Sequence, residues 1–179
     1  MHPATGPLPD GPVDPALTPQ AAPEIDRPTV YTLMAPGWWP PLDALTQCYG
    51  FCFTPERRVV LVSPGGRRWT LPGGTVEPGE QPCDTLVREV AEEACARVVR
   101  ARFLACQHVW DPEAPDGRTS HYQARWWARV ELGEWDPRFE IEERCAVPVE
   151  EVLATLSWRD KTIAGRLLSM AVAVEAGEG

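Results

Sequence analysis

Apolar and polar positions change period along this chain, and each change predicts an element. Within Arg57–Ser63 the residues Val59, Val60, Leu61 and Val62 form a β-branched, apolar run suited to a sheet interior. Gln47–Phe53 precedes it as a second strand across a turn at Thr54–Glu56. After the turn Pro64-Gly65-Gly66, Trp69–Leu71 reads as a short strand. The period then lengthens to that of a helix over Pro82–Ala94. Strands are predicted at Val98–Val109 and His121–Glu131, separated by the polar loop Asp111–Thr119. Another short strand falls within Glu140–Val147, and helices cover Val149–Leu156 and Thr162–Val174. Strands mixed with helices predict an α/β or α+β layered domain whose ordered core starts near Leu45. Trp126 and Trp127, adjacent on one strand, must point to opposite faces, with core packing as their default role.

Residues 1–28 break this pattern. Proline recurs every few residues and few large apolar side chains are present, which predicts a flexible, partly polyproline-like arm. Residues 29–179 then form the domain, with Tyr31, Trp38 and Trp39 packed onto it.

Charge and cysteine content narrow the function classes. A formal net charge of -9 disfavours a nucleic-acid partner, despite Arg57, Arg58, Arg67 and Arg68, which read as a solvated turn. A small anionic substrate would meet the same repulsion, so a bound cation would have to mediate it. The six cysteines include no C-x-x-C pair, and only three histidines are present, so a zinc site is poorly supported and reduced thiols in the cytoplasm are expected. No basic segment followed by an apolar run opens the chain, and no apolar stretch is long enough for a membrane span.

The chemistry concentrates in Gly73–Ala96, GGTVEPGEQPCDTLVREVAEEACA. Pro82 suits the first helical position, and Asp84 suits the positive end of the dipole. A turn of about 100° per residue gathers Cys83, Val87, Val90, Ala91 and Ala94 into a buried stripe. Glu89, Glu92 and Glu93 fall together on the opposite side, with Arg88 at their border. Glu89 repels Glu92 and Glu93 at i,i+3 and i,i+4, each pair costing about 0.2–0.5 kcal/mol. Carboxylates crowded this way make better sense around a divalent cation, and hard oxygen ligands favour magnesium or manganese. Gly73 and Gly74 let the backbone approach closely, and Glu77 and Glu80 share the loop before the helix.

These residues resemble the Nudix box, running from Gly74 through Glu80, Arg88, Glu89, Val90, Glu92 and Glu93 to Ala96. Trp69-Thr70-Leu71-Pro72-Gly73 resembles the family's approach to the box, and the likeness extends over about Leu45–Leu156. Cys95 departs from the pattern, standing where the family has a helix-ending glycine, so that either it takes a left-handed conformation at a cost of about 1 kcal/mol or the helix ends differently, and Ala96 is smaller than the usual aliphatic. The resemblance implies an α/β/α sandwich with a mixed β-sheet and a metal-binding loop-helix-loop. It also implies a magnesium- or manganese-dependent hydrolase that cuts the diphosphate linkage of a nucleoside diphosphate derivative by water attack on phosphorus.

In that reading Glu89 and Glu93 are the primary metal ligands, Glu92 is a further ligand or a water-mediated contact, and the Gly73 carbonyl is another ligand. Arg88 orients Glu80 or Glu89 through a bidentate hydrogen bond, and Glu80 supports the cluster or holds a metal-bound water. Glu140 is the foremost general base, Glu143 is the second, and Asp111, Glu113 and Asp116 sit in a loop able to close over the site. Pro112 stands at a spacing that resembles the ADP-ribose-cleaving branch of the family. The expected partner is a small nucleotide-like substrate, with homodimerisation left open. The alternative is a nucleotide-binding module on the same fold that senses without cutting.

Overall fold

The computed structural model describes residues 7, 9–21, 28–158 and 161–178. Its strands are β1 (Gln20–Ala21), β2 (Val30–Leu33), β3 (Leu45–Phe53), β4 (Val59–Ser63), β5 (Gly73–Thr75), β6 (Ala96–Trp110), β7 (Ser120–Leu132) and β8 (Glu143–Val147). The helices are α1 (Pro82–Ala94), α2 (Val149–Thr155) and α3 (Thr162–Gly177). One sheet runs β1-β2-β6-β7-β3-β4-β8, with β5 paired to β3. The β3–β7 pair is parallel and the other ladders are antiparallel, so the sheet is mixed as expected.

Alternation along the strands builds two cores, one on each face. Cys48, Cys52, Val60, Val62, Ala124 and Trp126 lie on the face that packs Leu86, Val90 and Ala94 of α1. Phe51, Phe53, Val59, Leu61 and Trp127 lie on the other, against Val152 and Leu156 at α2 and Leu167, Leu168 and Ala171 of α3. The result is an α/β/α sandwich, with Trp126 and Trp127 on opposite faces. Trp127 is fully buried and donates its indole N–H to Glu175 Oε2 at 3.0 Å.

Three local expectations change. The buried side of α1 carries Pro82, Thr85, Leu86, Val90 and Ala94, while Cys83, Val87 and Ala91 are exposed. The stripe is rotated because Leu86 fills the space above Gly50, where a Cβ would stand 2.8 Å from Leu86 Cδ1. Trp69–Leu71 makes only a single bridge, Thr70 with Val62. Pro72 has no N–H to continue that ladder, and the chain crosses to pair as β5 with β3. β2, hidden between prolines in the sequence, pairs with residues 107–110 of β6.

Where it is described, the proline-rich segment makes hydrogen bonds to the sheet and to α3. The Asp14 N–H donates to the Leu33 carbonyl at 2.9 Å, Ala35 N–H to the Pro12 carbonyl at 2.8 Å, and the Tyr122 hydroxyl to the Asp10 carbonyl at 3.1 Å. Asp14 is fully buried, accepts from Arg166 Nε at 3.0 Å and accepts the Ala16 N–H at 2.9 Å. Proline is tolerated there because an outermost segment needs donors on one side only. The rest of the expected arm, residues 1–6, 8 and 22–27, lies outside the described residues. Asp14→Ala removes both side-chain acceptors and is expected to lower unfolding stability by about 1–3 kcal/mol in urea titration.

Candidate active site

The acids are placed by α1 and by the strand before it. Gly73 adopts φ +147, and a Cβ there would meet the Cys48 carbonyl at 2.1 Å. A Cβ on Gly74 would lie 2.4 Å from Glu89 Oε1. Only glycines allow β5 to press this closely on β3 and α1. The Gly73 N–H then donates to Glu93 Oε2 at 2.9 Å.

Arg88 organises the rest. Its Nε and Nη2 donate to Glu80 Oε1 and Oε2 at 2.9 and 3.0 Å, a bidentate fork. Nη2 also donates to the Thr75 carbonyl at 2.9 Å, and Nη1 to Glu89 Oε1 at 2.9 Å and Glu92 Oε2 at 3.3 Å. Glu80 Oε2 further accepts from the Thr85 hydroxyl at 2.7 Å and the Glu77 N–H at 3.1 Å. The hydrogen bonds from Arg88 hold the Glu80 carboxyl down at about 2, with Thr85 and the Glu77 N–H adding to the effect. One guanidinium thus ties the loop after β5 to three acids.

Glu93 is treated differently. Burial pushes its carboxyl up to about 7, opposed by the Gly73 N–H and reinforced by the charges of Glu89, Glu140 and Glu92. Burial also raises Glu89, against the pull of Arg88 and with the charges of Glu92 and Glu140. Glu140 is exposed, yet it bears on both acids, which brings it to the cluster. Glu143 lies instead over the turn at 64–66, where a Cβ on Gly66 would meet its Oε1 at 2.4 Å. The loop acids Asp111 and Asp116 accept the N–H groups of Glu113 and Arg118 and so shape their own turn.

The donor set fits a hard divalent cation. It consists of carboxylate oxygens, and the most buried of those acids lacks an N–H from Arg88 among the described residues. Among those residues no three His, Cys, Asp or Glu side chains form a finished ion cage, because Arg88 stands between the acids. All six cysteines are free, and burial pushes Cys48, Cys52 and Cys106 up to about 12, so they behave as packing residues.

Sequence reasoning passed over Tyr49, Gln107, Gln123 and Arg125. Tyr49 backs onto Gly73, whose added Cβ would lie 2.8 Å from its Cδ1, and both Glu93 and Arg125 act on its hydroxyl. The available signal was Gln123 and Arg125 at i,i+2 on a strand whose same-face neighbour is the buried Trp127.

Cys95 ends α1 at φ 44, ψ 48, which is the left-handed one of the two endings open to it from the sequence. Cys95→Gly should raise stability by about 1 kcal/mol in chemical denaturation, since glycine carries no Cβ penalty there. In chelating buffer a second effect is expected. Between the ordinary carboxylate value and about 7, folded Glu93 keeps a proton that the unfolded chain has lost. Its contribution to stability therefore falls as pH rises through that window, and Glu93→Gln should flatten the corresponding slope of Tm between pH 5 and 7.5.

Comparison with known proteins agrees with this geometry. A variant of the Bacillus subtilis pyrophosphohydrolase BsRppH is similar over 88% of this chain and 98% of its own, with TM-score 0.71 and 19% identity. An ADP-ribose pyrophosphatase from Streptococcus suis covers 73% of this chain and 90% of its own at TM-score 0.51 and 19% identity. A Caenorhabditis elegans Ap4A hydrolase covers 73% of this chain and 98% of its own at TM-score 0.53 and 19% identity. At these identities the likeness is one of fold. The family model described as NUDIX domain matches residues 48–167, which take in β3 from Cys48, β4 to β8 and α1 with its acids, and the chain belongs to that family.

Proposed function

We propose that this pyrophosphohydrolase-family chain hydrolyses the diphosphate linkage of a nucleoside diphosphate derivative and depends on magnesium or manganese. The observation that carries this reading is the unequal treatment of four acids. Arg88 neutralises Glu80 and reaches Glu89 and Glu92, while Glu93 is half-buried among like charges with one backbone N–H.

Glu89 and Glu93 would hold the cation, with Glu92 and the Gly73 carbonyl as further ligands. When bound, the cation neutralises the substrate's diphosphate and acidifies water. The residues of the chain supply the rest. Arg88 and Glu80 keep the loop after β5 against α1, so that Gly73 and Glu93 stay in register. Glu140, exposed beside the buried acids, accepts the proton of the attacking water, and its exposure lets that proton leave to solvent. The fold neighbours act on ADP-ribose and Ap4A by their names, which sets the first substrates to try.

The test is a hydrolysis screen over nucleoside triphosphates, ADP-ribose, nucleotide sugars and dinucleoside polyphosphates, with magnesium or manganese. Phosphate-containing product is expected from at least one. On that substrate Glu93→Gln should reduce kcat by about 10²–10⁴-fold with circular dichroism unchanged. Full activity of Glu93→Gln, or saturable binding across the panel with no turnover under either metal, would overturn the reading.

A further inference from the structure

The sheet face turned away from α1 holds a cavity of about 240 Å³ that the catalytic reading leaves unused. Gln47 and Tyr49 of β3, Gln107 of β6, and Gln123 and Arg125 of β7 line its floor. Gln20 and Ala21 of β1 and Tyr31 of β2 close one side, and Trp158 and Ile163 close another. Four of these residues, Gln20, Ala21, Tyr31 and Gln47, precede the segment that matches the NUDIX family.

Arg125 is the feature that needs explaining. It is only 3% exposed, and burial pulls its guanidinium down from its ordinary range. Nη2 donates to Gln107 Oε1 at 3.0 Å and Gln123 Oε1 at 2.7 Å, and Nη1 donates to the Ala124 carbonyl at 3.2 Å. Those acceptors are all neutral. Its Nε is buried with no partner among the described residues. Among the described residues, the groups that act on its charge are the side chains of Tyr49, Tyr31, Cys48 and Cys106, with no carboxylate among them. By contrast, Arg88, Arg129 and Arg166 each face a carboxylate within hydrogen-bonding distance. A buried cation left to neutral amides is costly, and an anion beside it removes that cost.

The surroundings favour an anion over a stacked base. The aromatic faces nearest Arg125 are those of Tyr49, 4.9 Å from its Cζ, and Trp158, 5.9 Å away. The guanidinium itself occupies those faces. The glutamines are also arranged to serve the cation, since Gln123 donates its side-chain N–H to Gln47 Oε1 at 2.6 Å and thereby turns its own Oε1 to Arg125. Tyr49 joins the cavity to the acids, because it lines the first and backs onto Gly73 in the second.

From this we propose that Arg125 makes the cavity an anion subsite for a phosphate or carboxylate group of the substrate, separate from the diphosphate that is cut. Its assignment to the substrate rests on the hydrolase reading; anion capture itself does not. The substrate class that follows is a diphosphate whose organic part carries a second anionic group.

Titration calorimetry in excess chelator, without added metal, tests the capture step with ribose 5-phosphate, inorganic phosphate, citrate, ribose and adenosine as probes. At least one anionic probe should bind saturably, with ribose and adenosine at least tenfold weaker. Ribose 5-phosphate and inorganic phosphate against citrate separates phosphate from carboxylate as the preferred group. Arg125→Met should weaken the anionic probe by at least tenfold, Arg125→Lys by less, and Glu93→Gln should leave it unchanged. Loss of turnover in Glu93→Gln alongside retained probe binding separates the two readings, as does failure of the hydrolysis screen with intact probe binding. Equal binding of adenosine and the anions by the unaltered protein, or no binding of any anion, overturns the proposal even where Arg125→Met does not fold. Unchanged anion affinity in a folded Arg125→Met overturns it as well.

Discussion

The site depends on one guanidinium placed among acids that would otherwise repel each other. Arg88 forks onto Glu80, reaches Glu89 and Glu92, and fastens to the Thr75 carbonyl. Without it, the loop after β5 would have little to hold it against α1, and three carboxylates would lose their hydrogen-bonded countercharge. Its reach also sets its limit. Glu93 lies one helical turn beyond Glu89, deeper against β5, where burial and the like charges around it oppose ionisation. The cluster thus has one neutralised half and one under-neutralised half, and in the proposed function the second is where a divalent ion would add most.

The sheet divides the work. Its α1 face positions the acids through Gly73, Gly74 and Leu86, and its other face shelters Arg125 with three glutamines. Tyr49 belongs to both, since β5 can approach β3 at that residue only because Gly73 lacks a side chain. The segment before the family match completes the second face, with Asp14 fixing it to Arg166 of α3.

Much of this was legible in the residues. The bounds of α1 and its acids followed from Pro82, the Glu spacing and the glycines, because helix periodicity and charge crowding are local properties. At Cys95 the sequence left two endings open, and the left-handed one is found. What escaped detection depends on tertiary placement. Val30–Leu33 is too short and too flanked by proline to read as a strand until β6 pairs with it. The buried stripe of α1 was misassigned because Cys83, Val87 and Ala91 are apolar, whereas the space above Gly50 admits Leu86. Arg125 gave only the weak local signal of its spacing from Gln123 and Trp127, since only the closing of β1, β2 and α3 around it reveals that no carboxylate comes near among the described residues.

The parallel pairing of β3 with β7 also governs how the molecule can assemble. Cys48 must meet Ala124, and Phe53 must meet Arg129, across a long intervening stretch of chain. A hairpin can zip from its turn, but this pair closes a large loop first, and such non-local closure slows folding. During synthesis, β3 and β4 emerge well before the strand that covers the flank of β3. Until β7 arrives, the apolar edge at Phe51 and Phe53 is open to wrong partners, which makes the nascent chain a natural client for chaperones.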